Sequence, residues 1–236
     1  MHPGHAVPLW LKIAYSAFVA VMVPTYWVSW GPANFLWFCD VAVLLTTVAL
    51  WLESPLLASM QAVGVTALQA TWIVDFVGKI LTGCHLTGTT EYMFDPKELL
   101  FTRCLSGFHG WLPLLLLWLV WRLGYDRRAL WLQTVLACLI LVVSCFAVPG
   151  PTTPVGNLNK VFGPNDKEPQ TFVPMPMWVA GLMVFYPLCF FLPGHLVFAW
   201  FMPRVRTGVA ERSVASAAAS GKPDHFLFEV RHERDL

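Results

Sequence analysis

ALWLQTVLACLILVVSCFAV, residues 129–148, contains no Asp, Glu, Lys or Arg, and is bracketed by Gly124-Tyr125-Asp126-Arg127-Arg128 before it and Pro149-Gly150 after it. About 20 consecutive apolar residues make a helix long enough to cross a bilayer core, where every backbone N–H and C=O must be satisfied inside the segment. The same reading extends outward to residues 8–28, 33–52, 56–82, 100–121 and 173–201. The expected fold is all-α, a bundle of six transmembrane helices within residues 1–206. Beyond it, Ser213-Val214-Ala215-Ser216-Ala217-Ala218-Ala219-Ser220-Gly221 and a mixed-charge end read as a mobile cytoplasmic tail, 207–236. Within that tail Phe226–Val230 has the pattern of a short strand or docking segment.

Composition agrees with this reading. Of 236 residues 57% are hydrophobic and 12% charged, with mean hydropathy +0.60, where soluble chains carry about 25% charged residues. A soluble globule is excluded, because a chain rich in Trp and Phe throughout has more apolar surface than one domain can hide from water. The net charge of +1 provides no basic field, so no nucleic-acid partner is expected. The bilayer itself is the expected partner, with a protein partner or a second copy of the chain left open. The first span lacks a small-residue cleavage site before Trp27 and Trp30, so it reads as an anchor.

Turn chemistry separates the spans at Trp30-Gly31-Pro32, Glu53-Ser54-Pro55 and Gly124–Arg128, and two longer loops, 83–99 and 149–172, fall on one side. One face collects Lys12, Arg122, Arg127, Arg128, Arg204, Arg206 and Arg212; the other has Lys79, Lys97, Arg103, Lys160 and Lys167. The positive-inside rule makes the first face cytoplasmic, so both termini are expected in the cytoplasm of a bacterium with the bundle in its inner membrane. Tryptophans 27, 30, 51, 111, 121, 131 and 200 lie near span ends, as an interfacial belt requires. Cys39, Cys138, Cys145 and Cys189 lie in apolar runs and read as packing residues, whereas Cys84 and Cys104 flank a polar loop and their pairing is open. Gly64, Gly78 and Gly107 offer close helix contacts.

Ionisable side chains inside spans cost about 2.5–3.5 kcal/mol each on insertion scales and require a reason. At about 1.5 Å per residue, Asp40 and Asp75 lie on the order of 10 Å deep and His109 about 14 Å, all on the side of the long loops, so one cavity can hold them. Pro113 frees the carbonyl of His109, and Ser106 precedes His109 by one turn. Lys79, four residues after Asp75, is placed for an ion pair with it. Asp40 has no local basic partner and needs a group from another helix, with His109, Lys79 and Arg103 as candidates. Three roles follow for this set. It is a structural hydrogen-bond network, a catalytic site of His109, Asp40, Asp75 and Ser106, or an ion path. In the catalytic reading His109 is the general base, Asp40 orients it, and the nucleophile is Ser106, Thr47 or water. The two aspartates with His109 also have the chemistry of a divalent-metal site, though neither metal nor cofactor is specified. His195, in Pro193-Gly194-His195, lies at the opposite end and reads as interfacial. The loops 89–96 and 157–164 mix aromatics with Asn or acids, so each is a connection, a cap over the cavity or a segment dipping partly into the membrane.

Residues Gly31–Asp40 and Phe108-His109-Gly110-Trp111-Leu112-Pro113 resemble the androgen-induced family of six-helix intramembrane hydrolases, which cleave fatty-acid esters of hydroxy fatty acids. The resemblance implies that His109 matches the family histidine and that a lipid is the substrate. The family's threonine nucleophile would fall near Trp37. The chain also looks like bacterial multi-pass membrane proteins. Three functions are therefore expected to compete: a lipid-directed intramembrane enzyme, a membrane subunit without catalysis, and a transporter of small solutes or protons.

Overall fold

Ser54 caps the helix against which the other helices pack: its side chain accepts a hydrogen bond from Leu57 N at 3.3 Å, and Pro55 pre-sets the first turn. The helix ends at Gly83, whose φ of 76° is the left-handed conformation that glycine adopts at no steric cost. A computed structural model describes residues 6–153, 155–164 and 168–205. The helices are α1 (Leu9–Trp30), α2 (Phe38–Leu52), α3 (Pro55–Thr82), α4 (Leu100–Leu105), α5 (Phe108–Leu123), α6 (Ala129–Ala147), α7 (Met175–Tyr186) and α8 (Leu192–Phe201). A π-helical turn, Pro187–Phe191, joins the last two. Among the described residues the architecture is all-helical. The chain separates into two compact units after Pro203. The expected tail at 207–236, with Lys167, Arg206 and Arg212, lies outside the described residues.

Central to the first unit, α3 packs against α2, α5, α6 and α8. Small residues let its neighbours close in. A Cβ on Gly64 would collide with the Gln133 side chain of α6, so glycine permits that approach. Gly78 faces Leu86 of the following loop and not another helix. Antiparallel α1 and α2 are held together at one end by the Lys12–Glu53 ion pair (2.7 Å) and by Trp51 Nε1 donating to Ser16 Oγ (2.9 Å). Burial works to raise the Glu53 carboxyl, but hydrogen bonds from Lys12 and the Ala6 amide outweigh it and hold Glu53 below the usual carboxylate range.

Five helical stretches are long and apolar enough to cross a bilayer: Leu9–Trp30, Pro55–Thr82, Leu100–Leu123, Ala129–Ala147 and Met175–Phe201. Residues 33–52 differ from the expected uninterrupted span. Gly31 turns the chain with φ 83°, Pro32–Leu36 forms a tight 3-10 turn, and Trp37 is extended. That leaves α2 with 15 residues, or roughly 22 Å at 1.5 Å per residue. The Leu100–Leu123 stretch is broken at Ser106-Gly107: Gly107 N bonds Cys104 O (3.1 Å) and His109 N bonds Ser106 O (3.2 Å), tighter turns than α-helical ones.

The segment 155–163 is not a surface connection. Val155, Leu158, Val161 and Phe162 are buried, and two asparagines satisfy backbone that helices cannot. Asn159 accepts from Phe38 N (3.1 Å) and donates to Leu36 O (2.7 Å), while Asn157 accepts from Phe162 N (3.0 Å) and donates to Gly163 O (2.8 Å). Asn159 achieves this at φ 47°, a region Asn tolerates better than most side chains. Tyr186 Oη and Trp178 Nε1 donate to the carbonyls of Asn159 and Lys160, securing the segment to α7. It forms part of the wall of the cavity described next.

Candidate functional site

A cavity of about 770 Å³ opens among the end of α1, the start of α2, the middle of α3, the α4–α5 break and the two long loops. It falls within the 300–1,000 Å³ range of small-molecule sites. Its walls are largely aromatic, and its polar groups are few and specific.

Three of the four residues singled out from sequence line it. Asp40, 3% exposed, accepts from Asn34 Nδ2 at 2.8 Å. This partner comes from the 3-10 turn just upstream, not from His109, Lys79 or Arg103 on another helix. The turn Pro32–Leu36 folds the chain back on itself and delivers Asn34 to α2's own first turn. Ser106 also lines the cavity, with its hydroxyl 2.7 Å from Tyr26 Oη. His109 stacks on Trp72 at 4.8 Å between centroids, and Trp72 stacks in turn on Phe76 at 5.1 Å. The His109 Nδ1 lies 2.8 Å from Ser106 O. A carbonyl only accepts, so Nδ1 carries the proton and Nε2 presents a lone pair. The orienting group is thus the main-chain carbonyl of Ser106 at the helix break, which also accepts from His109 N, in place of Asp40. It is not the Pro113-freed carbonyl of His109.

Asp75 does not line the cavity. Fully buried, it accepts from the backbone of Thr87 (2.6 Å), Gly88 (3.1 Å) and Thr90 (3.0 Å) and from Thr90 Oγ1 (2.5 Å), and it pairs with His85 Nδ1 (3.1 Å). The expected Asp75–Lys79 pair is absent, because Lys79 Nζ turns to Gly83 O (2.7 Å) at the helix C-terminus, where carbonyls lack intrahelical donors. Asp75 therefore shapes the loop that forms the cavity rim. With it directed away, no three His, Cys, Asp or Glu side chains among the described residues converge as metal ligands. Arg103 Nη1 donates to Met93 O, supporting the same loop. Cys84 and Cys104 are free thiols. At the far end His195 meets Tyr125 Oη at 2.7 Å and takes no part in the cavity.

Sequence reasoning passed over Gln69, Tyr26, Tyr92 and Asn34. Gln69 is 2% exposed, lines the cavity, and neither its Oε1 nor its Nε2 has a hydrogen-bond partner among the described residues. A neutral polar residue in mid-helix was the available signal, and it is weaker than a charge. Tyr92 Oη accepts from Trp72 Nε1 at 3.1 Å, joining the loop to α3. Burial pushes the Tyr92 phenol above its ordinary range against the opposing hydrogen bonds of Ser106 and Trp72, so it stays a neutral donor at pH 7. No protein-family model, curated protein or solved structure matches this chain.

Proposed function

We propose that this chain is a six-span inner-membrane protein that receives an amphipathic molecule in the loop-side cavity. In this reading α2, together with Pro32–Leu36, is a sixth and broken crossing, and both termini face the cytoplasm. The observation that carries the reading is Gln69: a buried primary amide with both atoms unpartnered costs about 1–3 kcal/mol for each unmet group. A network that served only to fix helix packing would have satisfied it, or replaced it with Leu. Aromatic walls receive the apolar part of the guest, while Gln69, Asp40 and Ser106 meet its polar part.

A hydrolytic reading has one observation in its favour: His109 lines the cavity with Nδ1 set 2.8 Å from the Ser106 carbonyl, an arrangement that leaves Nε2 of the neutral ring as the base. On that reading, and on the resemblance to intramembrane fatty-ester hydrolases, the nucleophile is water, because the Ser106 hydroxyl is engaged by Tyr26.

Native mass spectrometry of the detergent-purified protein beside Gln69→Leu tests the binding reading. The wild type is expected to retain a small amphiphile that Gln69→Leu loses, while the variant melts at the same or a higher temperature. If both proteins carry the same adducts or none, the cavity is not a binding site. Loss of ester hydrolysis in His109→Gln with ligand retention unchanged would favour the enzymatic reading.

A further inference from the structure

The two buried aspartates are treated very differently by the fold. Asp75 receives four N–H or O–H donors and an imidazole. Asp40 receives one donor, the neutral amide of Asn34, and pairs with no cation among the described residues. A carboxyl almost wholly removed from water with spare acceptor capacity needs a partner, and the space beside it is the cavity. Gln69, on α3 in the same wall, adds an unmet carbonyl acceptor and an unmet amide donor.

The surroundings select the sign of that partner. Glu91, Asp95 and Glu98 join Asp40 on the lining, against Lys79 and Lys160, and the Lys79 ammonium is turned onto Gly83 O. Tyr26 and Trp30 are packed at 4.6 Å, with Tyr92 edge-on to Trp30 at 6.2 Å. Aromatic rings are the apolar walls whose faces attract cations. An anionic head would meet four carboxylates on a lining that carries two lysines. A neutral head can donate a hydrogen bond to the carboxyl but brings it no opposite charge.

We infer that the guest is a cationic amphiphile, with an ammonium head seated against Asp40 and Gln69 Oε1 and an apolar chain along the aromatic wall. This rests on the cavity being a ligand site.

The test uses the full chain in dodecyl maltoside at fixed detergent, with three eight-carbon probes: octylammonium, 1-octanol and octanoate. Binding is read from saturable change in tryptophan fluorescence, since Trp30, Trp37 and Trp72 line the cavity. Octylammonium is expected to bind wild type about tenfold more tightly than 1-octanol, the scale of one charge-assisted hydrogen bond, with octanoate weakest. Asp40→Asn, which keeps the shape and an acceptor for Asn34, should abolish the roughly tenfold preference for octylammonium over 1-octanol; the readout is the ratio of the two affinities, which also cancels micelle partitioning. Equal affinities for octylammonium and 1-octanol in wild type, or unchanged octylammonium binding in Asp40→Asn, overturn the cation and leave the cavity. If no probe saturates, or Gln69→Leu binds all three as wild type does, the cavity reading falls with it. Should Asp40→Asn fail to fold, the wild-type ranking of the three probes alone decides.

Discussion

Replacing Asp75 with Ala removes the acceptor for three backbone amides and one hydroxyl of the 85–90 loop. Thr90 is buried, so its amide bears the full cost of losing its partner, about 1–3 kcal/mol. Thr87 is exposed and Gly88 partly so, and water replaces part of what they lose. The sum is about 3 kcal/mol. At about 2–4 °C per kcal/mol for a chain of this size, the melting temperature in detergent should fall by roughly 6–12 °C. Hydrogen exchange at Thr87, Gly88 and Thr90 should accelerate before the rest of the bundle opens. Lys79→Ala is the control. Its ammonium serves only Gly83 O at an exposed helix end, so it should cost within about 0.5 kcal/mol. If Lys79→Ala is as damaging as Asp75→Ala and the double variant no worse than either, the carboxylate is held by Lys79 and the loop-anchor argument is wrong.

Other consequences follow from the same geometry. Gly64→Val drives a side chain into Gln133 and should cost about 1–3 kcal/mol; combining it with Gln133→Ala should recover much of the loss in thermal melts, giving a coupling that independent sites lack. Glu53→Gln leaves the Lys12 ammonium, 5% exposed, without its counter-charge, for which about 3–5 kcal/mol is typical. Because the folded Glu53 titrates below its unfolded value of about 4.3, its stabilisation is present above that pH and is lost as pH falls through the folded value. Melting curves of wild type should show this acid limb and those of Glu53→Gln should lack it. Asn159→Ala strips Leu36 O and Phe38 N of partners and should cost about 2–4 kcal/mol, with limited proteolysis shifting to the 155–163 segment.

The long helices were legible because apolarity sustained over a whole crossing has little other use. The broken second stretch was not, since hydropathy averages over the Gly31-Pro32 turn that ends helix geometry there. Asp40 and His109, whose depths matched, line one cavity, together with Ser106 one turn before His109. Asp75 does not join them, because spacing says which side chains can reach one another and not which acceptor wins. Lys79 found unpaired carbonyls at its helix end, and the loop amides outnumbered it at Asp75. Gln69 escaped notice because it is neutral, and its significance lies in what fails to touch it, which one chain read in a line does not display.

Phe38 N waits for a partner 121 residues further along the chain. At about 5–20 residues per second of synthesis, that interval is roughly 6–24 s. During it the first turns of α2 exist with their backbone groups open and with the cavity lacking the wall that Asn157, Asn159 and Tyr186 supply. That corner is closed only when the 155–163 segment and α7 have followed. A chain truncated before residue 155 would lack the partner of Phe38 N and leave that corner unsealed.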